Sequence, residues 1–139
     1  MSGDFLDSNV FVYLFDETDD RRRTIADGIV QSGLRSHSAT ISFQVVQETL
    51  NVLSRRLPGS MASEDARLFL QDILMPLWRV FPTPALYQRA IDVQGRYRFS
   101  FYDSLIVASA LDAGCETLYT EDLPHGQRIE DLTIENPFR

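Results

Sequence analysis

Apolar residues recur along this 139-residue chain with two different periods, one suited to strands and one to helices. Asp4-Phe5-Leu6-Asp7 is a short β segment, and Asn9 to Phe15 reads as a helix that starts directly after it. The acids Asp16, Glu17, Asp19 and Asp20 stand at the entrance to a second helix, about 20–34, where they complement the helix dipole. Arg21, Arg22 and Arg23 follow at once, so local i,i+3 and i,i+4 pairing accounts for that charge run. Ser38-Ala39-Thr40-Ile41 is a second strand. Phe43, Val46, Leu50 and Leu53 then recur at helical spacing, predicting an amphipathic helix that stops near Leu57-Pro58-Gly59. Ser63 is positioned to cap the next helix, about 63–76, with Glu64 and Asp65 in its first turn.

Trp78-Arg79-Val80-Phe81 is a third strand, and Thr83-Pro84 opens a helix with a capping residue and proline at the first helical position. Asp103 to Ala113 is helical and ends at Gly114. Thr117-Leu118-Tyr119 is a fourth strand and Leu132-Thr133-Ile134 a candidate fifth. Strands separated by helices predict an α/β sandwich with a mainly parallel sheet, here as one domain over residues 1–139. In such sheets ligands bind beyond the carboxyl ends of the strands, so chemistry is expected there.

Composition narrows the picture. Hydrophobic residues make up 44% of the chain, enough for a core at this length. No apolar run approaches the roughly 18 residues of a membrane span, and no basic region followed by an apolar stretch marks a secretory leader. The single cysteine, Cys115, has no partner for an internal disulfide and sits at the start of a core strand; this fits a reducing cytoplasm and an inert packing role. All 13 basic residues are arginines, which removes any lysine-based phosphate loop, Schiff base or general base. The net charge of −7 has the wrong sign for generic adhesion to nucleic acid.

Four acids fall near strand termini on the expected ligand side. Asp7 ends the first strand, Asp122 lies just past the fourth, Asp103 begins the helix leading into the fourth, and Glu48 sits inside the helix after the second. Each has an ordinary structural reading. Asp7 fits a helix cap, Ser100 to Asp103 a loose capping box, Glu48 a helix surface and Asp122 a turn before Pro124 and Gly126. Together they point to a shared site, which is costly without a partner. Two like charges about 4 Å apart repel by roughly 4 kcal/mol at an effective dielectric near 20. Oxygen-only ligands suit Mg²⁺ or Mn²⁺, whereas two histidines and one cysteine make a zinc site improbable. His37 and His125 are read as ordinary loop residues.

The segments FLDSNVFVYLFD, SFQVVQETLNVLSRR and FYDSLIVASALDAGCETLYTEDLPHGQ, in that order, resemble PIN-domain ribonucleases, particularly VapC-type toxins of toxin–antitoxin pairs. The resemblance implies a PIN-like three-layer α/β/α sandwich in which Asp7, Glu48, Asp103 and Asp122 form an acidic site for Mg²⁺, with Mn²⁺ as a substitute. It places Asn9 and Thr120 in supporting roles. Glu121 is an alternative fourth acid, with Asp122 favoured as the third position of a Thr-x-Asp pattern. It further implies an RNA substrate, a cognate antitoxin, a homodimer and no membrane. The predicted helices at about 42–57 and 63–76 offer apolar faces for dimerisation, although core packing explains the same residues.

Other classes remain open at this point. A catalytically silent PIN-like binding module would carry the same acids. A haloacid-dehalogenase-like phosphatase would use Asp7 as nucleophile, but its second Asp is replaced by Asn9 and its lysine is missing. A receiver-type signalling domain lacks its lysine too.

Overall fold

Phe5 stands opposite Thr40 on one side and Leu118 on the other, and both neighbouring strands run parallel to its own. The strands are β1 (Asp4–Leu6), β2 (Ala39–Ser42), β3 (Trp78–Val80), β4 (Thr117–Tyr119), β5 (Arg128–Ile129) and β6 (Leu132–Glu135). They form a six-stranded sheet in the order β3-β2-β1-β4-β6-β5. Every pairing is parallel except that of β5 with β6, which is antiparallel and closes one edge. This computed structural model describes residues 3–55 and 61–139; the helix stop predicted at Leu57-Pro58-Gly59 lies outside them.

Between the strands run α1 (Ser8–Val12), α2 (Asp20–Ser36), α3 (Phe43–Arg55), α4 (Ser63–Phe69), α5 (Met75–Leu77), α6 (Pro84–Tyr97) and α7 (Phe101–Asp112). They cover the sheet in the three-layer α/β/α arrangement expected. α2 packs on β2 so closely that a side-chain carbon at Gly33 would stand 2.4 Å from the Ala39 Cβ, which is why glycine occupies that turn. α7 packs against β2 and β4 and is itself overlaid by α6. Its residues Ser104 to Ala110 are all buried, so it is apolar on every side rather than amphipathic. The two buried hydroxyls in it, Ser104 and Ser109, donate to the carbonyls one turn earlier, of Ser100 and Leu105, each at 2.8 Å. Thr83 caps α6 as anticipated, its Oγ1 accepting from the Leu86 N–H at 3.1 Å.

Several local expectations are corrected. The helix predicted over Asn9 to Phe15 is α1 followed by a tighter 3₁₀ turn, Tyr13–Phe15. Ser63 is the first residue of α4, not its cap; Ala62 occupies the cap position and makes no side-chain hydrogen bond there. The helix expected to run regularly over 63–76 has a π-helical turn at Leu70–Leu74, ahead of Pro76 in α5. Proline has no N–H to give to the preceding turn, so the ladder is already incomplete there. The short β5 was not anticipated, because two residues carry no readable alternation. Ser100 begins α7 two residues earlier than expected by accepting from the Asp103 N–H at 3.1 Å.

Candidate active site

The ladder between β1 and β4 continues one residue past β1: the Asp7 N–H donates to the Tyr119 carbonyl at 3.0 Å. That bond sets Asp7 and Thr120 side by side beyond the carboxyl ends of two central strands. The Thr120 hydroxyl donates to Asp7 Oδ2 at 2.7 Å, while Asp7 Oδ1 accepts from the Ser8 N–H at 2.7 Å and so caps α1. Thr120 Oγ1 also accepts from the Asp122 N–H at 3.1 Å, folding the chain back in a short turn. Asn9 Nδ2 reaches both Thr120 Oγ1 and Asp122 Oδ2, each at 3.3 Å. Asp7, Asn9, Thr120 and Asp122 therefore form one connected cluster.

Glu48 joins from α3. Its Oε1 accepts from the Ser8 hydroxyl at 3.2 Å and its Oε2 from Gln44 Nε2 at 3.2 Å. The same Gln44 nitrogen donates to the Tyr102 carbonyl at 3.1 Å, tying α3 to the first turn of α7, where Asp103 lies. A polar network thus runs from Asp122 to the residue beside Asp103. Ser8 and Gln44 are the connecting residues that the sequence reading missed. Gln44 precedes Glu48 by one helical turn, a spacing that places both on one face, but the contact with Tyr102 is tertiary.

Electrostatics follow from this crowding. Asp7 is only 4% exposed, and burial pushes its carboxyl up to about 7; the bonds from Thr120 and Ser8 oppose that rise, and the charges of Glu48 and Asp122 add to it. Burial also raises Asp103, opposed by Ser100 and reinforced by Asp122. Among the described residues, none of Asp7, Glu48, Asp103 and Asp122 forms an ion pair with a basic side chain. Glu121 turns elsewhere. It accepts from the Tyr13 hydroxyl at 2.8 Å, and burial followed by that bond pushes the phenol up to about 12. His125 Nδ1 accepts from the Asn136 N–H at 2.9 Å, a loop-bracing contact. Cys115 is buried, and that burial pushes its thiol up to about 11, consistent with packing.

The donor chemistry fits a hard divalent ion. All the candidate ligands are oxygens, and Asn9 Oδ1 and Gln44 Oε1 are buried without a hydrogen-bond partner within the same network. The acids are not already gathered around one point: among the described residues, no three His, Cys, Asp or Glu side chains make a ready ligand group. A cleft of about 1000 Å³ lies at the opposite ends of β4 and β6 beside Arg89, Thr117, Arg128 and Thr133, and none of the four acids lines it.

A family model for the PIN domain matches residues 5–124. The chain belongs to the PIN domain family. That membership sets aside the phosphatase and receiver readings of the fold. Solved structures share the fold of this PIN domain. The VapC20 toxin of Mycobacterium tuberculosis, which cleaves the sarcin-ricin loop, is 24% identical, with 86% of this chain and 90% of that chain covered at a TM-score of 0.62. A toxin–antitoxin complex from Klebsiella pneumoniae is 15% identical, covering 97% and 98% at a TM-score of 0.69. VapBC2 of Rickettsia felis, bound to a promoter DNA fragment, is 19% identical, covering 96% and 97% at a TM-score of 0.67. No curated protein matches the chain.

Thr120 is the hub of the cluster, fully buried and nearly isosteric with valine. Thr120→Val is expected to destabilise the metal-free PIN domain by about 2 kcal/mol at pH 8, the scale of a hydrogen bond to a charged group. The loss shrinks toward pH 5, where Asp7 is protonated. Urea unfolding in EDTA at the two pH values checks both the size and the trend.

Proposed function

We propose that this PIN domain is a divalent-metal-dependent endoribonuclease, the toxin of a VapBC-type toxin–antitoxin pair. The observation that carries the reading is Asp7, a buried carboxyl facing Glu48 and Asp122 with no basic partner among the described residues. A cation is the simplest group that offsets such a charge. Family membership supports a nuclease, and the solved structures of similar fold include toxins and toxin–antitoxin complexes.

Asp7, Glu48, Asp103 and Asp122 would hold Mg²⁺, or Mn²⁺ in its place. When bound, such an ion lowers the pKa of water and offsets charge building on the phosphate and the leaving oxygen. Asp7 and Asp103 supply the principal donor oxygens, and Asp122 joins them from the turn after β4. Glu48, with both oxygens held by Ser8 and Gln44, would position a second ion or the attacking water for in-line displacement at an RNA phosphodiester. Asn9 and Thr120 keep Asp7 and Asp122 aligned. Arginines on the rim contact neighbouring phosphates.

The chain would act as one domain over its 139 residues, in the cytoplasm, as a homodimer using apolar faces of α3 and α4. No described helix is long and apolar enough to cross a membrane. A cognate antitoxin would restrain it by setting a basic side chain such as arginine against the acids, neutralising them while excluding RNA.

A catalytically silent PIN-like binding module is the second reading, favoured by the lack of a ready three-residue ligand group among the described residues. Incubating the purified chain with mixed RNA in Mg²⁺, Mn²⁺ or EDTA separates the two. Cleavage is expected with either ion, none in EDTA, and a drop of at least about 100-fold for Asp103→Asn, on the scale of lost metal-assisted catalysis. Equal cleavage by wild type and variant rejects the site; inertness toward every RNA with retained antitoxin binding favours the module.

A further inference from the structure

Tyr102 is 67% exposed, more than any other large hydrophobic side chain among the described residues. It directly precedes Asp103 in the first turn of α7, and its position is fixed from two sides. Its carbonyl accepts from Gln44 Nε2 at 3.1 Å, the nitrogen that also holds Glu48 at 3.2 Å. Its ring meets the edge of Phe101, with centroids 5.8 Å apart and planes at 71°, and Phe101 packs on the core. A large aromatic ring is thus held in solvent on a rigid element, one residue before Asp103.

Other exposed rings, like Tyr102, each meet a second ring. Phe81 stacks on Trp78, with centroids 5.1 Å apart, and Tyr87 meets Phe43. Tyr102 differs in its greater exposure and in standing one residue before Asp103, which points to a ligand of that site. The electrostatics narrow its kind. A chain of net charge −7 whose site is lined with carboxylates gains little from generic attraction to phosphate, so a non-ionic hold adds to whatever rim arginines supply. Base stacking on an aromatic ring supplies one, because every base has a π face and no charge is required.

We propose that the Tyr102 ring is the platform on which the site stacks an unpaired nucleotide base, setting the adjoining phosphate before the acids. This rests on the ribonuclease reading for the identity of the acids' substrate, but the stacking contact itself requires no turnover. A base inside a duplex has both faces covered by its neighbours, so the platform selects nucleotides outside a helix.

The test measures binding and cleavage separately. A short fluorescein-labelled single-stranded RNA of mixed sequence is titrated with the Asp7→Asn chain in Mg²⁺, then with the same chain also carrying Tyr102→Ala or Tyr102→Phe. Tyr102→Ala is expected to weaken binding about tenfold, while Tyr102→Phe stays within about twofold of the parent, as for a ring that stacks. The same RNA annealed to its complement should bind weakly to all three chains. An RNA carrying a fluorescent adenine analogue should be quenched by the parent and not by Tyr102→Ala. In the chain with intact acids, Tyr102→Ala should raise KM and leave kcat nearly unchanged.

Equal binding by Tyr102→Ala and its parent overturns the proposal, as does equal damage from Phe and Ala. Sedimentation decides one further outcome. If Tyr102→Ala splits a dimer into monomers and RNA binding falls only with that loss, the ring belongs to a subunit interface and the proposal fails. Ring-dependent binding without any cleavage would leave the platform standing and reject the ribonuclease reading instead.

Discussion

Asp7→Asn is expected to abolish RNA cleavage, by about 1000-fold or more, while making the metal-free protein more stable at pH 8. The two effects have one cause. The site keeps a buried carboxyl where solvent cannot stabilise its charge, so the folded group titrates near 7 instead of at the usual aspartate value of 3.8. The sign follows from proton counting. Between roughly pH 4 and 7 the folded chain binds a proton at Asp7 that the unfolded chain has already lost, so stability falls as pH rises through that window and levels off above it. At ~1.4 kcal/mol per pH unit the cost at pH 8 is on the order of 4 kcal/mol. Asparagine keeps the shape and removes the charge, but its amide nitrogen faces a Thr120 oxygen that already accepts from Asn9 and Asp122. The net gain is therefore about 2–3 kcal/mol, or a rise in Tm of roughly 5–10 °C for a domain of this size.

Thermal melts in EDTA across pH 4–9 check this directly. The difference between variant and wild type should grow from pH 4 to 7 and then stay flat. Millimolar Mg²⁺ should raise the Tm of wild type at pH 8 and leave the variant nearly unmoved, since an ion that binds only the native state stabilises it by mass action. A variant that melts below wild type at pH 8 in EDTA would show that the Asp7 charge is already compensated without metal.

Phe5→Ala is expected to cost about 3–5 kcal/mol, the range for truncating a fully buried aromatic residue. Phe5 has no exposure and sits in a row with Thr40 and Leu118, with Ile134 beyond Leu118. β1 is hydrogen-bonded on both sides, so the backbone cannot collapse into the space and the cavity persists. Phe5→Leu leaves a smaller void and should cost roughly a third as much. Urea midpoints at constant m give both values. Because Asp7 lies two residues further along, cleavage by Phe5→Ala should fall even under conditions where the variant is folded. An Asp7 that works normally on a strand missing Phe5 would mean that the site does not depend on the rigidity of the central strand.

The parts of the fold that were legible in the sequence share a feature: neighbouring residues carry the signal. Thr83-Pro84 marks a helix start because a capping oxygen and a fixed backbone angle act within a few residues. The stop after α7 was readable at Gly114, which adopts a φ of +72° that other residues rarely adopt. Asp7, Asp103 and Asp122 could be named because each lies near a strand end or a helix start, and Glu48 because it lies early in the helix that follows β2. The misreadings have local causes as well. Ser63 looks like a cap by composition, yet the chain enters α4 one residue earlier. The π turn at Leu70–Leu74 leaves the apolar pattern of that helix largely intact, so periodicity does not register it.

Sequence alone determined the order of the main strands and helices, short of β5, together with the oxygen-only character of the candidate ligands, the lack of lysine chemistry and the resemblance to PIN domains. Tertiary structure decided which acids share an environment. Thr120 meets Asp7 across 113 residues, Gln44 meets Tyr102 across 58, and Glu121 goes to Tyr13 although it is the neighbour of Asp122. Such pairings depend on strand register and on the angle at which each helix leaves the sheet, and both are set by burial summed over the whole core. Desolvation of Asp7 has the same origin: a carboxyl is costly to ionise only once the rest of the chain has displaced the water around it.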